Sequence, residues 1–395
     1  LALLLMLISI GIMVVNFSVG ILALLAVVIY NNVTYFGMKK EIEPYITSFA
    51  YIFRLLNIYP EFKKHRAECL GEEFEEMELA FRQMDRFQRG SGIVMSGTRA
   101  GGSGSPLDML MDFFRMGFHI DLIKFNQMLG EVRRHLDAVD TFLTHYGYIE
   151  SCIAIGEYRA YLGDFCVPSF HEERRIRMVD GYHPMLTDPV RNTFETGKGM
   201  LITGSNASGK STFLKTVAMN ALLAQSIHTC LAAEFETCFF RICSSMSLKD
   251  DVLHGESYYM VEIKSIKRIL DLIAHKEYRV LCFVDEVLRG TNTVERIAAS
   301  SQILKSLNSE NSMCFVATHD IELTSLLEDR YENYHFREEV TDGDVTFSYQ
   351  LLPGKATTRN AIRLLSIMGY QENIIQKAEQ MALEFVRNSH WQMLD

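Results

Sequence analysis

The sequence predicts an α/β protein in three parts: an N-terminal membrane segment, a long all-helical region, and a domain built on a mainly parallel sheet. Three observations carry this. Residues 1–38 contain no charged side chain. Residues 39–175 place apolar side chains at alternating spacings of 3 and 4. Beyond residue 199, short apolar runs suited to buried strands stand among glycine-rich loops and helical patterns, the mark of a sheet wrapped by helices. The 395 residues suit two or three domains, and 48% hydrophobic against 22% charged residues excludes disorder. Lys plus Arg is 39 and Asp plus Glu is 49, so the surface as a whole does not wrap nucleic acid. The eight cysteines contain no C-x-x-C pair, which argues for reduced thiols in a cytosolic compartment rather than zinc.

The run Leu1–Tyr30 is almost wholly apolar, interrupted only by Ser9, Asn16 and Ser18. A spanning helix needs about 20 apolar residues, so this run suffices for one. Asn16 to Gly20 is alternatively the turn of a hairpin. No basic stretch precedes the run, which fits a secretory leader poorly. The first charges, Lys39 and Lys40, place the following residues in the cytoplasm. The expectation is a membrane-anchored chain, with residues 1–38 as a transmembrane segment or hairpin that holds the membrane through residues 1–30.

Residues 39–175 read as helices that pair. Ile42, Ile46, Phe49, Phe53 and Leu56 form one stripe, and Pro60 is expected to end that helix. Leu70, Phe74, Met77, Phe81 and Met84 form a second. A third runs from Leu122 through Phe125, Leu129, Val132, Leu136, Val139 and Leu143 to Tyr146, as one coiled-coil-like seam. The glycine-rich stretch 90–106 between them is a loop. This region carries 17 basic and 21 acidic side chains, no signature of nucleic-acid binding.

The chemistry begins near residue 199. Met200–Thr203 is a short buried-strand pattern, followed by GSNASGKS and then a helical pattern from Phe213 to Leu222. Strand, glycine-rich loop and helix in this order form a phosphate-binding loop. Gly204 and Gly209 let the backbone curl, so that N–H groups of Ser205, Asn206, Ala207, Ser208 and Thr212 face phosphate oxygens at a helix N-terminus. Lys210 is placed to reach the β- and γ-phosphates, and Ser211 to put its hydroxyl on Mg²⁺. A second apolar strand, 280–284, ends in Asp285-Glu286: Asp285 for the metal, Glu286 to orient and polarise water. A third, 313–317, ends at Thr318-His319, where His319 can sense the γ-phosphate. No N-K-x-D guanine motif occurs, which favours ATP over GTP.

These motifs, with GESYYMVE (255–262), FVDEVLRGTNT (283–293) and FVATHDIEL (315–323) in order, resemble the ATPase domain of the MutS family of DNA mismatch repair proteins. The resemblance extends from Tyr182-His183-Pro184 to Leu352–Ala356 and the terminal helices, roughly residues 176–388. It implies an ABC-like P-loop ATPase domain over 176–369, a helical lever region over 39–175 with the loop near 90–106, and a C-terminal helix within 370–395 that supports a homodimer. It further implies that Asn206 contacts phosphate and that Ser257 reaches the partner's γ-phosphate. Glu262 closes that signature motif, and Val190 lies in a stretch similar to the one that contacts adenine. DNA is the partner the family implies. Leu288 stands where family members usually have Gly, and Asn292 where Ser is common. The apolar segment leads straight into helices, without the family's mismatch-reading wedge, so DNA binding is expected to be weak and salt-dependent. An alternative is a membrane-tethered dimeric ATPase of the same fold that moves its helical arms on another partner. The ATP-binding subunit of a transporter is disfavoured, because GESYYMVE occupies the place of an L-S-G-G-Q signature.

Overall fold

The structure is a computed structural model. It describes residues 2–84, 116–205, 207–246, 258–341, 344–356 and 368–388, with positions 87, 362, 365 and 366. The chain forms two compact units, residues 1–156 and 157–395.

In the first unit, helix α1 (Ala2–Val15) ends at Asn16, whose extended backbone reverses the chain and whose side chain accepts the Val19 N–H. Helix α2 then runs from Phe17 to Phe62. The two pack so tightly that a Cβ on Gly20 would lie 2.1 Å from the Met13 Cα, so only glycine fits there. The N-terminal segment is therefore a hairpin, with very unequal arms. At 1.5 Å per residue α1 spans about 21 Å, short of the roughly 30 Å hydrocarbon layer. Helix α2 is long and apolar enough to cross a membrane, and Leu7, Val14, Leu22, Leu25 and Val33 on the hairpin are exposed.

No joint separates this apolar stretch from the helical region, since α2 continues unbroken past residue 38. Pro44 lies inside it, and it ends at Phe62, two residues after Pro60. Its stripe Ile46, Phe49, Phe53 and Leu56 is buried with Phe74 and Met77 of α3 (Gly71–Gln83). The third stripe departs from expectation. It is two helices, α4 (Ile120–Arg134) and α5 (Leu136–Leu162), broken at His135. The buried face keeps its phase across the break, Phe125, Met128 and Val132 before it and Val139, Phe142 and Ile149 after it, while Leu136 and Leu143, one position beyond that row, are exposed. Polar contacts join α2 to the chain entering α4: Asn31 Nδ2 donates to the Gly117 carbonyl at 2.9 Å, and Tyr35 OH to Asp121 Oδ2 at 2.6 Å. The glycine-rich stretch 90–106 lies outside the described residues.

The second unit holds two sheets. The strands are β1 (Ser169–Phe170), β2 (Ile176–Gly181), β3 (Asn192–Thr196), β4 (Gly199–Thr203), β5 (Glu234–Thr237), β6 (Arg241–Ser245), β7 (Val280–Asp285), β8 (Ser312–Thr318), β9 (Tyr331–Thr341) and β10 (Asp344–Pro353). The larger sheet has the order β10-β9-β4-β8-β7-β6 and is parallel except for β10, an antiparallel edge strand. Strands β4 and β8 are buried along their whole length, as expected where helices cover both faces. Helix α6 (Lys210–Ile227) packs on one face through Phe213, Leu214 and Val217. Helices α7 (Tyr258–Ala274) and α8 (Thr293–Leu307) cover the other through Ile266, Ile269, Leu304 and Leu307. The smaller sheet, β1-β5-β2-β3, was not legible in the sequence. Gly369 at φ 76° turns the chain into the terminal helix Glu372–Asn388.

Candidate nucleotide site

The loop after β4 is built by backbone conformations that side chains resist. Gly204 has φ 149°, Ala207 φ 64° and Gly209 φ 105°. A Cβ on Gly204 would meet Ser208 Oγ at 2.9 Å and the Phe336 carbonyl at 3.0 Å, so the loop closes only around glycine. Lys210, the first residue of α6, turns back to donate to the carbonyls of Gly204 at 2.8 Å and Ser205 at 2.7 Å. Burial pulls its amine down to about 8, against the opposing pull of Glu286 and Asp285. Ser205 Oγ donates to Glu338 on β9. Ser208 Oγ is buried without a hydrogen-bond partner among the described residues, an orphaned polar group in this glycine-rich loop.

Strand β7 delivers Asp285 and Glu286 beside this loop. The Glu286 N–H donates to the Ala317 carbonyl at 2.9 Å, and its φ of 65° swings the side chain out of the strand line. His319, after β8, places Nε2 2.9 Å from Glu286 Oε1. Arg289 Nε and Nη2 grip both Glu286 oxygens. Burial alone would raise the Glu286 carboxyl, but hydrogen bonds and charge from His319 and Arg289 bring it down to about 2. Below this loop, buried Glu262 on α7 accepts the Leu288 N–H through Oε1, while its Oε2 has no partner among the described residues. Burial raises its carboxyl, with the N–H groups of Leu288 and Arg289 opposing.

These groups surround one cavity of about 510 Å³. Ala207 to Thr212, Asp285, Glu286, Arg289 and His319 line one part of it. Tyr182, His183, Leu186, Val190, Asn192 and Tyr349 also line it, and supply an apolar and aromatic wall. Asn192 holds the backbone of this wall, with Nδ2 to the Tyr349 carbonyl at 3.1 Å and Oδ1 accepting the Leu351 N–H at 2.7 Å. Tyr349, at φ 53°, lies in the irregular stretch of β10 between Phe347 and Leu351. Burial lowers the His183 imidazole, and Lys215 lowers it further.

Of the residues expected from sequence, Ala207 to Thr212, Asp285, Glu286, His319 and Val190 meet in the cavity. Gly204 and Ser205 stand behind it and hold Lys210. Asn206 and Ser257 lie outside the described residues. Sequence reasoning missed Arg289, Asn192 and Tyr349. Asn192 and Tyr349 lie 157 residues apart, and only the fold brings them together. Arg289 stands three residues after Glu286, a spacing that signals an ion pair on a helix but not in a loop.

Residues 200–386 match MutS domain V. The chain is 33% identical over 246 residues to the DNA mismatch repair protein MutS of Roseiflexus sp. (strain RS-1), covering 58% of this chain and 22% of that protein. It is 32% identical over 219 residues to the protein of that name from Thermus thermophilus, covering 54% and 26%. With that of Thermus aquaticus the figures are 29% over 260 residues, 65% and 30%. The chain thus spans less than a third of the length of these relatives. The loop, the paired acids and the histidine after β8 all fall within residues 200–386, the span of this chain that is similar to MutS domain V.

Proposed function

We propose that this protein binds ATP with Mg²⁺ and hydrolyses it, and that it works as a homodimer with DNA as its partner. The observation that carries the reading is the convergence of Lys210, Ser211, Asp285, Glu286 and His319 on one cavity with an aromatic wall. The donor set fits the metal: a hydroxyl and a carboxylate, Ser211 and Asp285, are hard oxygen ligands. Mg²⁺ held there supplies positive charge to the phosphates. Lys210 adds a second positive charge once it leaves the loop carbonyls for a better acceptor. Glu286 accepts a proton from water, and His319, hydrogen-bonded to it, holds that carboxylate in place.

Two variants test the reading. Lys210→Ala should lose nucleotide binding. Glu286→Gln keeps the shape and loses the base, so it should retain ATP and stop turnover. Turnover by Glu286→Gln at the unmodified rate would remove Glu286 from the role.

Dimerisation and DNA binding rest on the family and on the relatives' name, DNA mismatch repair protein. The exposed apolar hairpin α1–α2 supports attachment to a membrane with the ATPase domain in the cytoplasm.

A further inference from the structure

Arg289 lines the same cavity as Lys210 and Ser211, yet its guanidinium is spent on Glu286. His319 takes the same carboxylate. A carboxylate neutralised by a bidentate guanidinium is a poor acceptor for a proton from water, so the grip opposes the role proposed for Glu286. The backbone around it is pinned. The Glu286 N–H is fixed on the Ala317 carbonyl, and the Leu288 N–H on buried Glu262. The Arg289 side chain is 55% exposed and hinges on that fixed backbone, so it is the part free to change partner. A guanidinium presents a planar fork that matches phosphate as well as carboxylate.

The geometry points to Arg289 as a ligand of the terminal phosphate of a nucleoside triphosphate, exchanging its Glu286 contact for that phosphate and so freeing Glu286 to receive a proton. This rests on the ATPase reading above. It adds a phosphate ligand and a reason why triphosphate, rather than diphosphate, switches the base on.

The test is run in the Glu286→Gln background, for two reasons. Turnover is stopped, so ATP itself is the probe. With no carboxylate at 286, removing Arg289 cannot unmask a charge that repels phosphate, and the measurement reads the Arg289–phosphate contact alone. Dissociation constants for ATP and ADP are measured by titration for Glu286→Gln, for Glu286→Gln with Arg289→Ala, and for Glu286→Gln with Arg289→Lys. Loss of Arg289 should weaken ATP by tenfold or more, about 1.4 kcal/mol, and leave ADP within twofold. Unchanged ADP binding also shows that the domain has folded. Lysine, a point charge without the fork, should fall between. Equal weakening of ATP and ADP, or unchanged ATP affinity, overturns the assignment while leaving the ATPase reading intact. Failure of Glu286→Gln itself to bind ATP removes both.

Discussion

Glu262 accepts the backbone N–H of Leu288, and it does so for a residue in the left-handed region, at φ 59°. The contact lies beneath the loop that carries Glu286 and Arg289. A buried acid on α7 thereby fixes the backbone from which both side chains project.

Leu288 sets two effects against each other. Its φ costs about 1–2 kcal/mol for a residue with a Cβ, and glycine would relieve it. Its side chain is 5% exposed, and burying a leucine contributes roughly 1.5–3 kcal/mol. Packing is the larger, so Leu288→Gly should lower stability, by about 1 kcal/mol on these figures. Denaturant titration decides it: a more stable glycine variant would show that strain dominates.

Glu262 gives a pH dependence with a definite sign. Its folded carboxyl is raised by burial. The native state therefore holds this proton at pH values where the unfolded chain has lost it. Stability from this group falls as pH rises from the ordinary carboxylate range through the raised value. Glu262→Gln keeps an oxygen for Leu288 and cannot ionise. Its stability relative to the parent should improve as pH rises across that window and level off above it. A difference that stays flat with pH would mean that Glu262 is not shifted.

The working site is expected to be shared between two subunits, with Lys210 acting in its own and Ser257 on the partner's nucleotide. Lys210→Ala and Ser257→Ala should each be inactive alone. In a mixed dimer one site combines both lesions and the other is intact, so activity should partly return. Confirmed heterodimers with no recovery would argue for self-contained sites.

The hairpin should hold the chain to membranes. Alkaline or high-salt washing does not reverse burial of an uncharged helix in hydrocarbon, so the intact protein is expected in the pellet. Gly20→Val places a branched side chain on the Met13 backbone and should pry α1 away from α2. Cross-linking between cysteines introduced on the two arms would fall in this variant. An unchanged cross-linking yield would refute the tight crossing.

DNA binding should fall steeply with salt and respond little to a mismatch. Both the 39–175 region and residues 176–395, with 22 basic against 28 acidic side chains, are net acidic. Phosphate contacts by local Lys and Arg release counterions, and their strength is lost as salt rises. Matched and single-mismatch duplexes compared at physiological salt, with and without ATP, give the answer. A tenfold preference for the mismatch would contradict it.

The phosphate loop, the acids after β7 and the histidine after β8 were legible because each is a local signal: a strand pattern followed by one chemical group. The helical stripes were equally local where one helix carried them. The 122–146 seam misled because spacing alone does not register a break such as His135, nor choose between adjacent apolar residues: Phe142 is buried and Leu143 exposed. The wall formed by Asn192 and Tyr349 was invisible for a different reason. Its parts come from two sheets and are joined by hydrogen bonds between residues with no periodic relation.

Helix α2 has a mechanical consequence. Its uncharged part, residues 17–38, and its packed part, Ile46 to Tyr59, lie on one helix of 46 residues, and the point between them where a helical hydrogen bond is missing is Pro44. A helix longer than the local hydrocarbon layer accommodates by tilting. Here a tilt or axial rotation imposed at one end reaches the helical core at the other along continuous helix, with bending concentrated at Pro44. Bilayer thickness would then act on this protein as a lever acts on a bearing, with Asn31 and Tyr35, bonded to Gly117 and Asp121, as a second point of coupling beside the helix itself.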